Sequence, residues 1–313
     1  MYDRLIAAAG YWTVLGLFYD LSWHIRHHVD TFFTAQHAIL YSGLAALAVI
    51  AFFFRREPDF RTTAAGLALF AVGGAADLIE HQFLGIEHDF DALVSPTHLA
   101  IGFGLMIVVA APLRQKRDRG ACVAAAAAFV ELLHFITHPF FRLNDAARFN
   151  VAIPHQLTSD AVTLQTLRAY EQGGGLLGAI LLALLTAVPL AYLAQRDLLR
   201  RGSCTAFCVL ATVLIAYSHS ASASEFFAVM IAAVAAGISG DLFLRPHPSN
   251  RDLVLVACVP AFVICAVQVL LTAVTQGLWW DVSFACGTVV LATAFALFGV
   301  LPLLSRRATE PGT

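Results

Sequence analysis

The chain has 313 residues, of which 59% are hydrophobic and only 13% charged, with a formal net charge of −2 at pH 7. Soluble globular domains carry about a quarter charged residues, so a soluble enzyme or carrier is excluded. No basic patch marks a nucleic-acid partner.

A helix needs roughly 20 mostly apolar residues to cross about 30 Å of hydrocarbon. Ten such segments succeed one another, at about 5–23, 33–54, 62–83, 96–112, 120–140, 173–194, 204–219, 224–244, 252–275 and 282–304. The apolar runs are continuous rather than alternating, which argues against a membrane barrel. The sequence predicts an all-α, polytopic membrane helical bundle of about ten transmembrane helices. Residues 1–142 form a first part of five helices, 143–172 an external loop, and 173–313 a second helical half. The first segment has no small-residue cleavage site and leads straight into Asp20 and His24. It reads as a retained helix rather than a signal peptide.

Basic residues concentrate in cytoplasmic loops. With the chain started inside, the inner positions hold Arg4; Arg55, Arg56 and Arg61; Arg114, Lys116, Arg117 and Arg119; Arg196, Arg200 and Arg201; Arg245 and Arg251; Arg306 and Arg307. Only Arg26, Arg142, Arg148 and Arg168 remain outside. Both termini are therefore expected in the cytoplasm. The histidines take the opposite side: His24, His27, His28, His37, His81, His88, His98, His134, His138, His155 and His219 fall at outer helix ends or in outer loops, and His247 alone lies inside. The chemistry is expected at the external, periplasmic face of a prokaryotic plasma membrane.

The ligand types repeat. Segment one ends in Asp20-x3-His24 and segment two begins with His37; segment three ends in Asp77-x3-His81 and segment four begins with Ser95-Pro96-Thr97-His98. Asp30 and Asp91 each precede the second histidine by seven residues. A four-residue spacing puts an aspartate and a histidine on one helix face, and the next helix can bring a second imidazole. Each half thus offers one carboxylate and two imidazoles, a mixed set suited to copper, zinc or iron. Any one of these groups alone could be a packing histidine or a headgroup aspartate. Ionisable groups within membrane segments are costly, however, and the repetition favours metal sites. Segment five adds Glu131, His134 and His138 on one helix face, as further ligands or as partners orienting the imidazoles, a role open to Asp30 and Asp91 as well. Cys204 and Cys208 share a helix face but have no second pair, so they read as small apolar residues.

The run Asp20-x3-His24-x12-His37, embedded in WHIRHHVDTFFTAQH, resembles the metal-binding motif in the C subunit of the copper membrane monooxygenases, which act on methane, ammonia or short alkanes. The resemblance spans roughly residues 12–105. It implies that Asp20, His24 and His37 are copper ligands across two neighbouring helices. It also implies a second site, with His81 and the His98 of SPTH as its histidines and Asp77 where the family usually has Asn. No counterpart of the family's soluble copper-binding subunit is present in the sequence. The chain then stands alone, forms a homo-oligomer or joins additional subunits.

Three functions compete. The first is a copper-dependent, monooxygenase-like oxidoreductase holding one or two copper ions. It would activate O2 for a small apolar substrate within the lipid bilayer, with quinol as a natural electron donor. The second is copper transport or handling. The third is a histidine-box di-iron hydroxylase, suggested by His24-x2-His27-His28 and His134-x3-His138 but lacking a third box. Copper is expected ahead of iron or zinc.

Overall fold

The computed structural model describes residues 1–26, 34–83, 94–137, 161–220, 222–246, 248–275 and 277–309. These residues form helices and short turns, with no strand among them. Nine of the described helical spans are long and apolar enough to cross a membrane. The protein is a polytopic helical membrane protein. Its helices satisfy their own backbone groups, which hydrocarbon cannot do.

The chain divides into two units, Met1–Ile136 with Val213–His219, and Thr137–Thr212 with Ser220–Thr313. The first unit contains α1 (Tyr2–Arg26), α2 (Ala35–Phe53), α3 (Phe60–Phe83), α4 (Pro96–Val109), α5 (Ala111–Gln115), α6 (Arg119–Thr137) and α9 (Val213–His219). Helices α4 and α5 make one span from Pro96 to Gln115, which Lys116 ends in the left-handed conformation. Helix α2 starts where the Thr34 hydroxyl accepts the His37 N–H at 3.1 Å, satisfying an otherwise orphaned donor. Pro96 opens α4 at the first helical position, where its missing N–H costs nothing.

Close helix contact in this unit depends on glycine. A Cβ on Gly16 would lie 2.7 Å from Leu40 Cα, and one on Gly43 2.9 Å from Thr13 Cα, so α1 and α2 touch through backbone. Helices α3 and α4 do the same: a Cβ on Gly66 would come within 2.8 Å of Gly104 O, and one on Gly73 within 2.9 Å of Ile101 N. Small residues drive such packing in membranes because lipid and leucine are equally apolar. Gly104→Ala, whose Cβ would sit 2.7 Å from Gly66 O, should destabilise the protein by about 1–3 kcal/mol in thermal unfolding.

One end of the unit is tied by ion pairs. Arg4 meets Asp118 at 2.6 Å, Arg114 grips both Asp59 oxygens at 2.7 Å, and Arg117 meets Glu57 at 2.6 Å. The Ala121 N–H and the Arg4 guanidinium hold the Asp118 carboxyl below its usual range. A lowered carboxylate stabilises the fold above its ordinary value of about 3.9, and that contribution fades as the pH falls through the lowered value. Asp118→Asn should flatten this acid-side dependence, as read by thermal unfolding at stepped pH. The Asp and His groups lie at the opposite ends of the same helices.

The second unit contains α7 (Ala161–Gln195), α8 (Ser203–Leu210), α10 (Ala223–Phe243), α11 (Asn250–Thr275) and α12 (Val282–Thr309). Asp241 caps α8, accepting from Cys204 N at 3.1 Å, Thr205 N at 3.2 Å and the Thr205 hydroxyl at 2.7 Å. Gly237 and Gly240 leave the room for this contact. Cys204 and Cys208 are buried thiols without a disulfide.

Two features differ from the sequence reading. Residues 161–172, expected in an external loop, are helical. The seventh segment is not one helix but two short ones, α8 and α9, interrupted at Ala211 and Thr212. Together they make one apolar helical stretch, Ser203–His219, shorter than the nine long spans. The break frees backbone amides, and a buried acid takes two of them up.

Candidate metal centre

Asp77 and His81 lie one turn apart near the end of α3, so their side chains share a face. His98 is the third residue of α4, placed opposite them by the glycine-mediated contact of the two helices. One oxygen of Asp77, Oδ1, stands 3.4 Å from His81 Nε2 and 3.2 Å from His98 Nε2. The two imidazole rings are tilted, with centroids 6.1 Å apart. Asp77 is only 3% exposed. Among the described residues this is the one group of three or more ligand side chains that converges within metal-binding reach.

Nitrogen and oxygen ligands sit at about 2.0–2.2 Å from a small transition-metal ion, so two of them at a tetrahedral angle are about 3.3–3.5 Å apart. The two Asp77–imidazole separations, 3.4 and 3.2 Å, lie near that edge and are longer than the usual charge-assisted hydrogen bond, about 2.7–2.9 Å. The donor set of one carboxylate and two imidazoles fits copper, zinc or non-haem iron and leaves positions open. Asp77, His81 and His98 would therefore hold such an ion.

In the first hairpin, His37 Nε2 lies 3.3 Å from Asp20 Oδ2, again across two helices. This is the same edge length. The His24 side chain lies outside the described set, as do Asp30, Asp91 and His138 with His27 and His28. The structure thus brings together two of the three expected ligands of the first site and all three of the second.

Tyr41 stands between these groups. It lies one turn beyond His37 on α2, with ring centroids 6.4 Å apart, and meets Phe70 edge-on at 6.3 Å. Its hydroxyl would be 2.8 Å from a Cβ on Gly74, one turn before Asp77.

Glu131, expected as a further ligand or as a partner orienting the imidazoles, accepts backbone amides of α9. Fully buried on α6, it accepts Leu214 N at 2.8 Å with one oxygen and Ile215 N at 3.2 Å with the other. These are amides at the start of α9, freed by the break in the seventh segment. His134 Nδ1 lies 3.7 Å from the same carboxylate. Glu131→Ala should leave two buried donors without an acceptor and cost about 1–3 kcal/mol for each, with Glu131→Gln losing less. Thermal unfolding checks this, and the metal content of the Asp77 group should not change.

Several participants escaped the sequence reading. Glu80, Ser95 and Thr97 lie against the second group, where Thr97 Oγ1 donates to Glu80 Oε2 at 2.8 Å. The glycines also belong to the repeat. Gly16-x3-Asp20-x3-His24 matches Gly73-x3-Asp77-x3-His81, and His37-x5-Gly43 matches His98-x5-Gly104. That longer repeat was the signal to look for, because it joins the ligands to the contacts that place them.

No family model matches the chain, and neither the curated proteins nor the solved structures provide a match. What fold and site define is a polytopic membrane protein with an Asp-His-His group, its aspartate buried, that could hold a metal ion.

Proposed function

We propose that this protein is a copper-dependent membrane oxidoreductase of the monooxygenase-like kind. The observation that carries the reading is the single Asp77 oxygen facing two imidazole nitrogens at 3.2 and 3.4 Å from two helices. A second Asp–His pair at 3.3 Å, from the matching places of the first hairpin, supports it. In this reading Asp77, His81 and His98 hold one copper ion, and Asp20, His24 and His37 hold the other. Asp77 supplies charge and the histidines fix the geometry. The apolar helices around them limit water and admit a small apolar substrate from the bilayer. Bound copper supplies one-electron redox chemistry toward O2. The basic residues at the ion-paired end orient that end to the cytoplasm and the ligands to the external side.

Copper analysis of the purified full chain tests the metal, and electron paramagnetic resonance tests its ligands. A signal from Cu(II) with nitrogen and oxygen ligands supports the reading, whereas coupled iron points to the di-iron class. Oxygen consumption with short alkanes or ammonia and a quinol donor tests the activity.

One observation favours copper handling as a second reading. The seventh segment is discontinuous, and broken helices inside membranes are a device of transporters. Copper uptake into vesicles, lost in His98→Ala, would select transport over oxidation.

A further inference from the structure

The two hairpins carry the same ligand types at matched spacing but differ in what surrounds the last histidine. In the first, the Thr34 hydroxyl caps α2 by accepting the His37 N–H at 3.1 Å. In the second, Ser95 holds the equivalent place before His98, yet its side chain makes no capping bond. The Ser95 hydroxyl turns away instead, 3.3 Å from Glu80 Oε2 and 2.7 Å from Thr97 Oγ1. Thr97 Oγ1 lies 2.8 Å from Glu80 Oε2 and 3.5 Å from Asp77 Oδ1. One hydroxyl therefore sits between two carboxylates.

Bringing two carboxylates to one hydroxyl is electrostatically costly in an apolar setting unless a cation compensates them. Matched by spacing, Glu80 and Thr97 take the places of Trp23 and Gln36, which carry no charge. Asp77 and Glu80 thus set two carboxylates at the second group, a pairing that a divalent cation balances.

We propose that Glu80 and Thr97 are positioning residues special to the second centre: Glu80 takes the Thr97 proton in a hydrogen bond and fixes that hydroxyl beside Asp77, and the Glu80 charge makes this centre prefer Cu(II) over Cu(I). This rests on the reading of Asp77, His81 and His98 as metal ligands.

The test uses the full chain carrying Asp20→Ala and His37→Ala, so that the second centre is read alone. Cu(II) and Cu(I) affinities are measured by chelator competition, with resonance spectra of the Cu(II) form. Glu80→Gln keeps an acceptor for both hydroxyls while removing the charge, and should weaken Cu(II) about tenfold with little change for Cu(I). Thr97→Val should alter the Cu(II) spectrum, and Thr97→Ser should restore it. If the parent binds copper, but Glu80→Gln leaves the ratio of the two affinities unchanged, the inference fails alone. If the parent binds no copper that His98→Ala removes, the metal-site reading fails and takes the inference with it.

Discussion

His98→Ala is expected to strip one metal ion from the protein and to lower affinity at that centre by more than about 100-fold. Loss of an outer partner to a ligand typically costs about 10–100-fold, and His98 is placed as a ligand itself. The remaining Asp77 and His81 come from a single helix, so the contribution of α4 disappears entirely. Asp77→Asn should act almost as strongly, since it preserves shape while removing the one charge that meets both imidazoles. Neither change should disturb the first hairpin. Dialysis against a weak chelator followed by elemental analysis reads both variants, and full retention of metal would remove the second centre from the account.

Gly73→Ala should do comparable damage without touching a ligand. A Cβ there would sit 2.9 Å from Ile101 N, 3.0 Å from Thr97 O and 3.0 Å from Ala100 Cβ. Ordinary contacts lie near 3.5–4.0 Å, so the first turn of α4 must retreat by several tenths of an ångström or more. That turn carries Thr97 and His98, whose nitrogen lies only 3.2 Å from Asp77. The expected result is about a tenfold or greater loss of metal affinity at this centre and about 1–3 kcal/mol of stability. Gly102→Ala is the control, because nothing lies within 4 Å of its Cβ position. It should keep metal binding and leave stability unchanged or improved by up to about 1 kcal/mol. Equal effects of the two alanines would mean that the close contact of α3 with α4 does not set the site.

The membrane helices were legible because apolar length is a property of composition. Runs of about 20 apolar residues need no tertiary knowledge to be read. The interruption within the seventh run was not legible for the same reason. Hydropathy cannot register that Ala211 and Thr212 interrupt it, since the compensation comes from Glu131, far away in sequence. Glu131 itself looked like a ligand because it shares a helix face with His134. That its oxygens also accept the Leu214 and Ile215 amides of α9 could not be read from spacing in α6.

The second site was legible through Asp77-x3-His81, where helical periodicity alone puts two groups together. Its third member was inferable once the hairpin was assumed. Glu80 and Thr97 were not, because an acid beside a histidine and a threonine beside a proline are ordinary residues until their atoms are placed. The contrast between Thr34, which caps, and Ser95, which does not, exists only in three dimensions.

The central claim is that two Asp–His groups at one end of the first unit bind copper. Elemental analysis of the purified full chain, wild type beside Asp20→Ala, His37→Ala and Asp77→Ala, tests it most directly. The expected result is two copper ions per chain in the wild type, with each variant losing the ion of its own hairpin. A wild type without copper, or variants that keep the full complement, would contradict it.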